Sequence, residues 1–316
     1  MAKRTISKNG TNGHVLTKPA PRVELEASDE SRLPVLKTYK VFIGGKFPRS
    51  ESGRYYLLRD AKGNAIANVC RCSRKDYRDA VVAARGAQSS WASRTAYNRG
   101  QILYRIAEML EGRAAQFVAE LQTGGASSAA LARKEVQTTI DRTLHYAGWA
   151  DKYQQVFSSV NPVSSSHFNF SLLEPTGVVS VLAPESPALL GLMSLILPAV
   201  VGGNTVIALA STSSPLVAVT LAEVLATSDL PGGVVNILTG ERSELLEPFA
   251  NHMDVNAVVY AGTDAAEKKK LRELCALNVK RPIIDDTADW FADDAQSPYR
   301  IKDTQEVKTT WHPVGV

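Results

Sequence analysis

GVVSVLAPESPALLGLMSLILPAVVGGNTVIALA, residues 177–210, decides how this chain folds. Gly177 to Leu182 is an apolar run with the length of a strand, bounded by the polar stretch that follows it. Pro187 to Val201 is apolar over about four helical turns. Asn204 to Leu209 is a second short apolar run. Strands that read as continuously apolar are covered by helices on both faces, as in parallel sheets. The alternation continues downstream. Pro215 to Thr227 predicts a helix, Val234 to Leu238 a strand, Ser243 to Asn251 a helix, Asn256 to Tyr260 a strand, and Asp264 to Ala276 a helix. The fold class is therefore α/β, with a doubly wound parallel sheet over 176–284. Such sheets take ligands beyond the carboxyl ends of their strands. The loops to watch are 183–187, 210–214, 239–242 and 261–264.

Upstream, Tyr39 to Ile43 reads as a strand ending at Gly44-Gly45, with two more strands at Arg54 to Leu58 and Ala65 to Val69. Ser73 caps a helix that has Asp76 in its first turn and an apolar face of Val81, Val82, Ala84 and Ala87 running to Trp91. A second helix is expected over Tyr97 to Thr123 and a third from about Ser128 to Tyr153. Residues 37–155 thus form N-terminal strands and a helical layer. Residues 156–175, rich in Ser and Pro and then alternating, read as a hairpin arm. Residues 1–36 lack periodicity and read as a flexible basic tail. Beyond Pro282 the alternation stops: 285–304 is acidic and loop-like, and Glu306 to His312 is a last strand, so 285–316 is a linker plus that strand.

The 316 residues are 44% hydrophobic and 22% charged, an ordinary globular composition with ample core. The net charge is +4, with part of the surplus in the tail. Lys268-Lys269-Lys270 is the one dense basic run, and without interleaved aromatics it reads as a solvated helix face, not a nucleic-acid patch. The longest apolar stretch, Ala188 to Val201, is too short to span a bilayer, so no membrane role is expected. Three cysteines, Cys70, Cys72 and Cys275, cannot build a disulfide framework and point to a reducing compartment, with the cytoplasm as the default. Cys70 and Cys72 share one face of a strand, but no further ligands at metal spacing accompany them.

Several segments in the same order resemble the aldehyde dehydrogenase superfamily. Tyr39 to Lys46 is similar to its Y-x-x-F-I-x-G-x-W strand. His145 to Lys152 is similar to its Y-Y-A-G-W-A-D-K helix, and Glu174 to Val179 to E-P-x-G-V-V. Pro198 to Val206 resembles P-A-L-A-A-G-N-T-V, and Leu230 to Ile237 resembles L-P-P-G-V-V-N-V. The resemblance runs from about 39 to 284. It implies that 156–175 is an oligomerisation hairpin. It also implies that Gln305 to Trp311 is the family's last strand, which pairs with a partner subunit's sheet. The subtype it suggests is the pseudo-domain of the two-domain class sixteen aldehyde dehydrogenases, or a bacterial stand-alone counterpart.

Family chemistry asks for a thiolate nucleophile, oxyanion donors, a Glu base and an ordered nicotinamide. The T-P-W-N-F-P loop reads here Ala183-Pro184-Glu185-Ser186-Pro187-Ala188, with Ser186 at the oxyanion Asn. The K-P-S-E ribose segment reads Leu209-Ala210-Ser211-Thr212 and loses both charged residues. The F-T-G-S-x-x-x-G turn keeps Gly262 and Thr263 but carries Glu267 at its second Gly. The nearest match to L-E-L-G-G-K, which holds the base, is Leu277 to Pro282, without a Glu. The G-Q-x-C nucleophile has no counterpart, and the residues between Pro282 and Glu306 cannot hold a second α/β domain, so the catalytic domain is expected to be absent. The expectation is a chain with no catalytic or metal residues and no firmly held cofactor. Weak NAD(P) binding would fall to Pro184, Ser186, Gly240, Gly262 and Thr263. The implied role is a pseudoenzyme subunit, partnered by itself or by a full-length aldehyde dehydrogenase. An NAD(P)-sensing module, or an oxidoreductase whose catalytic residues come from a partner subunit, stands as the alternative.

Overall fold

A computed structural model of the chain describes residues 35–60, 62–123 and 127–315. The chain divides into a unit over Met1–Val35 and a unit over Leu36–Val316, and it is the second whose architecture follows. The tail expected over 1–36 lies outside the described residues save for Val35 and Leu36.

The second unit begins with β1 (Thr38–Tyr39), β2 (Tyr55–Arg59) and β3 (Ala65–Cys70), a small sheet ordered β1-β3-β2. The helical layer is α1 (Arg74–Ala92), α2 (Ala96–Gly112), α3 (Ala114–Gln122), α4 (Ala129–Trp149) and α5 (Tyr153–Phe157). The arm follows as β4 (Ser159–Asn161) and β5 (His167–Pro175). Then come β6 (Val178–Leu182), α6 (Ala188–Val201), β7 (Thr205–Leu209), α7 (Leu216–Ala226), β8 (Val235–Leu238), α8 (Arg242–Asn251), β9 (Ala257–Tyr260), α9 (Ala265–Ala276) and β10 (Arg281–Ile284). A 3-10 turn at Asp293–Gln296, α10 (Tyr299–Asp303) and β11 (Gln305–Pro313) complete the order.

Five strands, β10-β9-β6-β7-β8, pair in parallel, as the alternating pattern requires. Every residue of β6, β7, β8 and β9 is buried, which is why these strands carry no polar face. The two cores lie on opposite faces. One gathers Ile140 of α4, Leu192 and Ile196 of α6 and Leu221 of α7. The other gathers Tyr77 and Val81 of α1, Phe249 of α8 and Leu271 of α9. Ser180 sits in the middle of β6 without cost because its hydroxyl pairs with that of Tyr77 at 2.7 Å.

The structure corrects several element boundaries. Tyr39 to Ile43 is not one strand: only Thr38–Tyr39 pairs with β3, and Phe42 instead bridges to Ile237 of β8, exchanging two backbone hydrogen bonds of 2.9 and 2.8 Å. β8 is the edge of the parallel sheet, and this bridge satisfies part of its free edge. On α1, Val82 is 67% exposed; the buried face is Tyr77, Ala80, Val81 and Ala84, the spacing of a 3.6-residue period. The helix expected over Tyr97 to Thr123 breaks after Gly112, where the Arg113 N–H turns back to Leu110 at 3.1 Å. The third helix ends at Trp149, with Tyr153 starting a separate turn. Residues 285–304 are not a loop: they contain the 3-10 turn and α10, and Trp290, Ala295 and Ile301 are buried. Elements this short show no periodicity, so their pattern is silent.

The arm forms a second small sheet, β11-β5-β4. β11 pairs antiparallel with β5 of the same chain, from Gln305 opposite Pro175 to Pro313 opposite His167. One side of β11 is thus taken by a strand of the same chain, and among the described residues its other side is an edge. Among the described residues no helix is long and apolar enough to cross a membrane.

Candidate functional site

The strand order reverses at β6: β7 and β8 extend the sheet on one side, β9 and β10 on the other. The crevice beyond the carboxyl ends of β6 and β9 is the topological switch point, where open α/β sheets bind their ligands. A cavity of about 520 Å³ opens there. The loop after β6 contributes Pro184, Glu185 and Ser186, the loop after β9 Ala261, Gly262 and Thr263, and the segment after β10 Asp285 to Ala288 and Trp290, with Arg242 at the head of α8. Four of the five residues read from the sequence therefore share one cavity. Gly240 does not line it. Its φ is +147°, and an added Cβ would stand 3.0 Å from the Cys72 N, so close packing on the β3 end accounts for the glycine.

Around the crevice, backbone N–H groups at two helix heads and in the loop after β7 are taken by the chain's own carboxylates. Glu135 of α4, 4% exposed, accepts the N–H groups of Leu189 and Leu190 at 2.8 and 3.2 Å, capping α6. Burial raises its carboxyl above the usual range, with those two N–H groups opposing the rise. Asp264 caps α9 through the N–H groups of Ala266 and Glu267 at 2.7 and 3.0 Å. Glu185 reaches out of its own loop. Its Oε2 accepts the N–H groups of Thr212 and Ser213 at 2.9 and 3.2 Å and the hydroxyls of Ser211 and Ser213 at 3.0 and 3.3 Å. This is the segment that stands in place of K-P-S-E.

Among the described residues, Arg242 is the one cation in the cavity wall. Its Nη2 donates to the Ala183 carbonyl at 2.5 Å, and its guanidinium lies 3.7 Å from Glu185 and 3.8 Å from Glu267. Glu267 in turn accepts the Tyr260 hydroxyl at 2.5 Å. Burial first, then the Glu267 carboxylate, push that phenol up. Gly262 is required beside it, because a Cβ there would collide with the Tyr260 oxygen. The lysine run does not turn inward as a group. Lys268 pairs with Asp286 at 2.6 Å, Lys269 with Glu273 at 3.9 Å and Lys270 with Glu247 at 4.0 Å.

The strand register corrects the comparison with L-E-L-G-G-K. Leu277 to Lys280 is the turn after α9, and β10 begins only at Arg281. The carboxylate at the end of the fifth parallel strand is Asp285, whose N–H continues the ladder to the Tyr260 carbonyl at 2.9 Å. An ungapped comparison misses it because the turn length between α9 and β10 is invisible in sequence. Asp285 is engaged through both of its oxygens. Arg300 of α10 holds both its oxygens, and the Thr287 N–H adds a bond of 3.0 Å. Glu135 and Arg242 also escape a sequence reading, since nothing local marks a helix-face carboxylate or a helix-head arginine as part of a cleft.

All three cysteines are buried and unpaired. Cys72 is pushed up chiefly by burial, and burial lifts Cys275 to about 11. A buried neutral thiol is a poor nucleophile. Among the described residues no cluster of His, Cys, Asp and Glu is arranged to hold a metal ion.

Comparison with known proteins agrees with this architecture. Retinal dehydrogenase 2 of Homo sapiens is 29% identical over 277 residues, covering 86% of this chain and 51% of its own length. The putative aldehyde dehydrogenase DhaS of Bacillus subtilis is 29% identical over 253 residues, covering 78% of this chain and 50% of its own. The NAD+ complex of an aldehyde dehydrogenase from Bacillus cereus superposes with a TM-score of 0.75 at 25% identity, over 78% of this chain and 50% of that one. HpcC from Thermus thermophilus gives 0.75 at 26% identity, over 78% and 48%. The chain spans about half the length of the curated relatives it matches. Residues 47–285 match the sequence model of the Aldehyde dehydrogenase family, and with the parallel sheet and its crevice in place the chain belongs to that family.

Proposed function

We propose that this chain is a non-catalytic, oligomer-forming member of the family, assembling with itself or with a full-length aldehyde dehydrogenase. The observation that carries the reading is the state of the cleft. Backbone donors around it are held by Glu135, Glu185 and Asp264, and its strand-end carboxylate is paired with Arg300. The buried thiols supply no accessible nucleophile in this chain, and thiolate attack is what the family's chemistry begins with. The assembling surface is the arm: Val160, Phe168, Leu172, Val307 and Trp311 are exposed on β4, β5 and β11, and among the described residues the outer backbone edge of β11 is open to extend a sheet. Unpaired cysteines fit a reducing compartment such as the cytoplasm.

Light scattering on the purified chain, with mass spectrometry of proteins that co-purify from its host, tests the reading. A defined homo-oligomer or a stoichiometric aldehyde dehydrogenase is expected. A strict monomer that captures no relative refutes it, as does aldehyde-dependent NADH formation by the chain alone. A second reading, an NAD(P)-sensing module, is favoured by the cavity itself, with Pro184, Ser186, Gly262 and Thr263 on its wall, and by the NAD+ complex of the similar Bacillus cereus enzyme. Calorimetry with dinucleotide in the millimolar range separates the two. An oxidoreductase completed by a partner subunit would show as NADH formation only after the partner is added.

A further inference from the structure

Of the three carboxylates that take backbone donors around the crevice, Glu185 is the one on the cavity wall, and it differs from the others in kind. Asp264 caps the helix it precedes, and Glu135 is sealed between α4 and α6. Glu185 instead crosses from the loop after β6 to the loop after β7, with Arg242 of the element after β8 beside it at 3.7 Å. One side chain thereby laces three successive loops at the carboxyl ends of adjacent strands. It is also 46% exposed on the side-chain scale, so it can leave by rotation about its own bonds without unfolding anything. The donors it would release are two backbone N–H groups and the hydroxyls of Ser211 and Ser213, in the loop after β7 that adjoins the crevice through Glu185.

We infer that Glu185 is an internal competitor: its carboxylate occupies the donor set after β7 and excludes adenine dinucleotides from the crevice. The physical argument has two parts. A ligand needing those donors binds only the fraction of molecules in which Glu185 has swung out, and its apparent affinity falls by that fraction. The carboxylate also stands on the cavity wall with Arg242, the one cation there among the described residues, 3.7 Å away, so an anionic ligand meets a cation that is already engaged. This deepens the reading of the cleft given above and is independent of the assembly state, which a separate measurement reads.

The test is a titration of the full chain with NADH, followed by its fluorescence, for the parent, Glu185→Ala, Glu185→Gln and Glu247→Gln. Glu247 lies on α8 with Lys270 as its ion-pair neighbour at 4.0 Å, so its substitution removes the same charge outside the crevice. The parent is expected not to saturate at millimolar NADH. At least one Glu185 variant is expected to bind about tenfold tighter or more, and Glu247→Gln to match the parent. Circular dichroism and the melting temperature of each variant verify that it is folded, with Glu185→Gln as the near-isosteric safeguard. No gain in either folded Glu185 variant overturns the inference. So does an equal gain in Glu247→Gln, or tight binding by the parent.

Discussion

Arg300→Met takes away the cation that holds the 285–304 segment against the sheet. In the parent, Arg300 and Asp285 are 16% and 8% exposed on the side-chain scale, and the guanidinium also donates to Thr287 and lies 5.7 Å from the Trp290 ring centre. Removing one member of a buried pair leaves the other charge desolvated, at a cost of about 3–5 kcal/mol. Asp285 keeps the Thr287 N–H at 3.0 Å, which argues for the low end, while the lost contact with Trp290 adds about 0.5–1 kcal/mol. The expected destabilisation is about 3–4 kcal/mol, with a fall in melting temperature of about 6–8 °C. Urea unfolding of the parent, Arg300→Met, Asp285→Asn and the double variant forms a double-mutant cycle. The double variant is expected to be more stable than Arg300→Met, because no unpaired charge remains. A loss below about 1 kcal/mol in Arg300→Met, or a coupling below about 0.5 kcal/mol, refutes the view that this pair clamps the segment.

Burial raises the carboxyls of Glu120, Glu135 and Asp303, so for each of them the folded state holds a proton that the unfolded state has released. Their contribution is full below the unfolded value of about 4 and is lost as pH rises through the raised one; urea midpoints read against pH should show a slope that Glu135→Gln flattens. Trp311→Lys on β11, where the native side chain is 57% exposed, is expected to lower the native mass by light scattering while leaving the melting temperature within a few degrees; an unchanged mass counts against the arm as the assembling surface. With all 3 cysteines buried, an aromatic disulfide reagent is expected to titrate none in the native protein and all 3 in denaturant, and rapid native labelling would contradict the burial of Cys70, Cys72 and Cys275.

The order of elements from Gly177 to Ala276 is legible because burial on both faces of a parallel sheet leaves one composition for its strands and another period for its helices. The family is legible for the same reason: its motifs sit on that frame in order. Of the site, Pro184, Ser186, Gly262 and Thr263 can be named, since they fall in loops that the strand pattern places at the carboxyl ends. What those loops contain cannot be read in the same way. Glu185 looks like a misplaced charge until it is seen accepting donors from 211–213, and Glu135 looks like one more helix residue until α6 lies across it. Asp285 is displaced in a linear comparison by the length of one turn, and only pairing with β9 restores its place. Period and composition depend on each residue's own burial, so the chain itself records them. Which donor a carboxylate satisfies depends on distances across loops far apart in sequence, and those exist only once the sheet has brought the loops together.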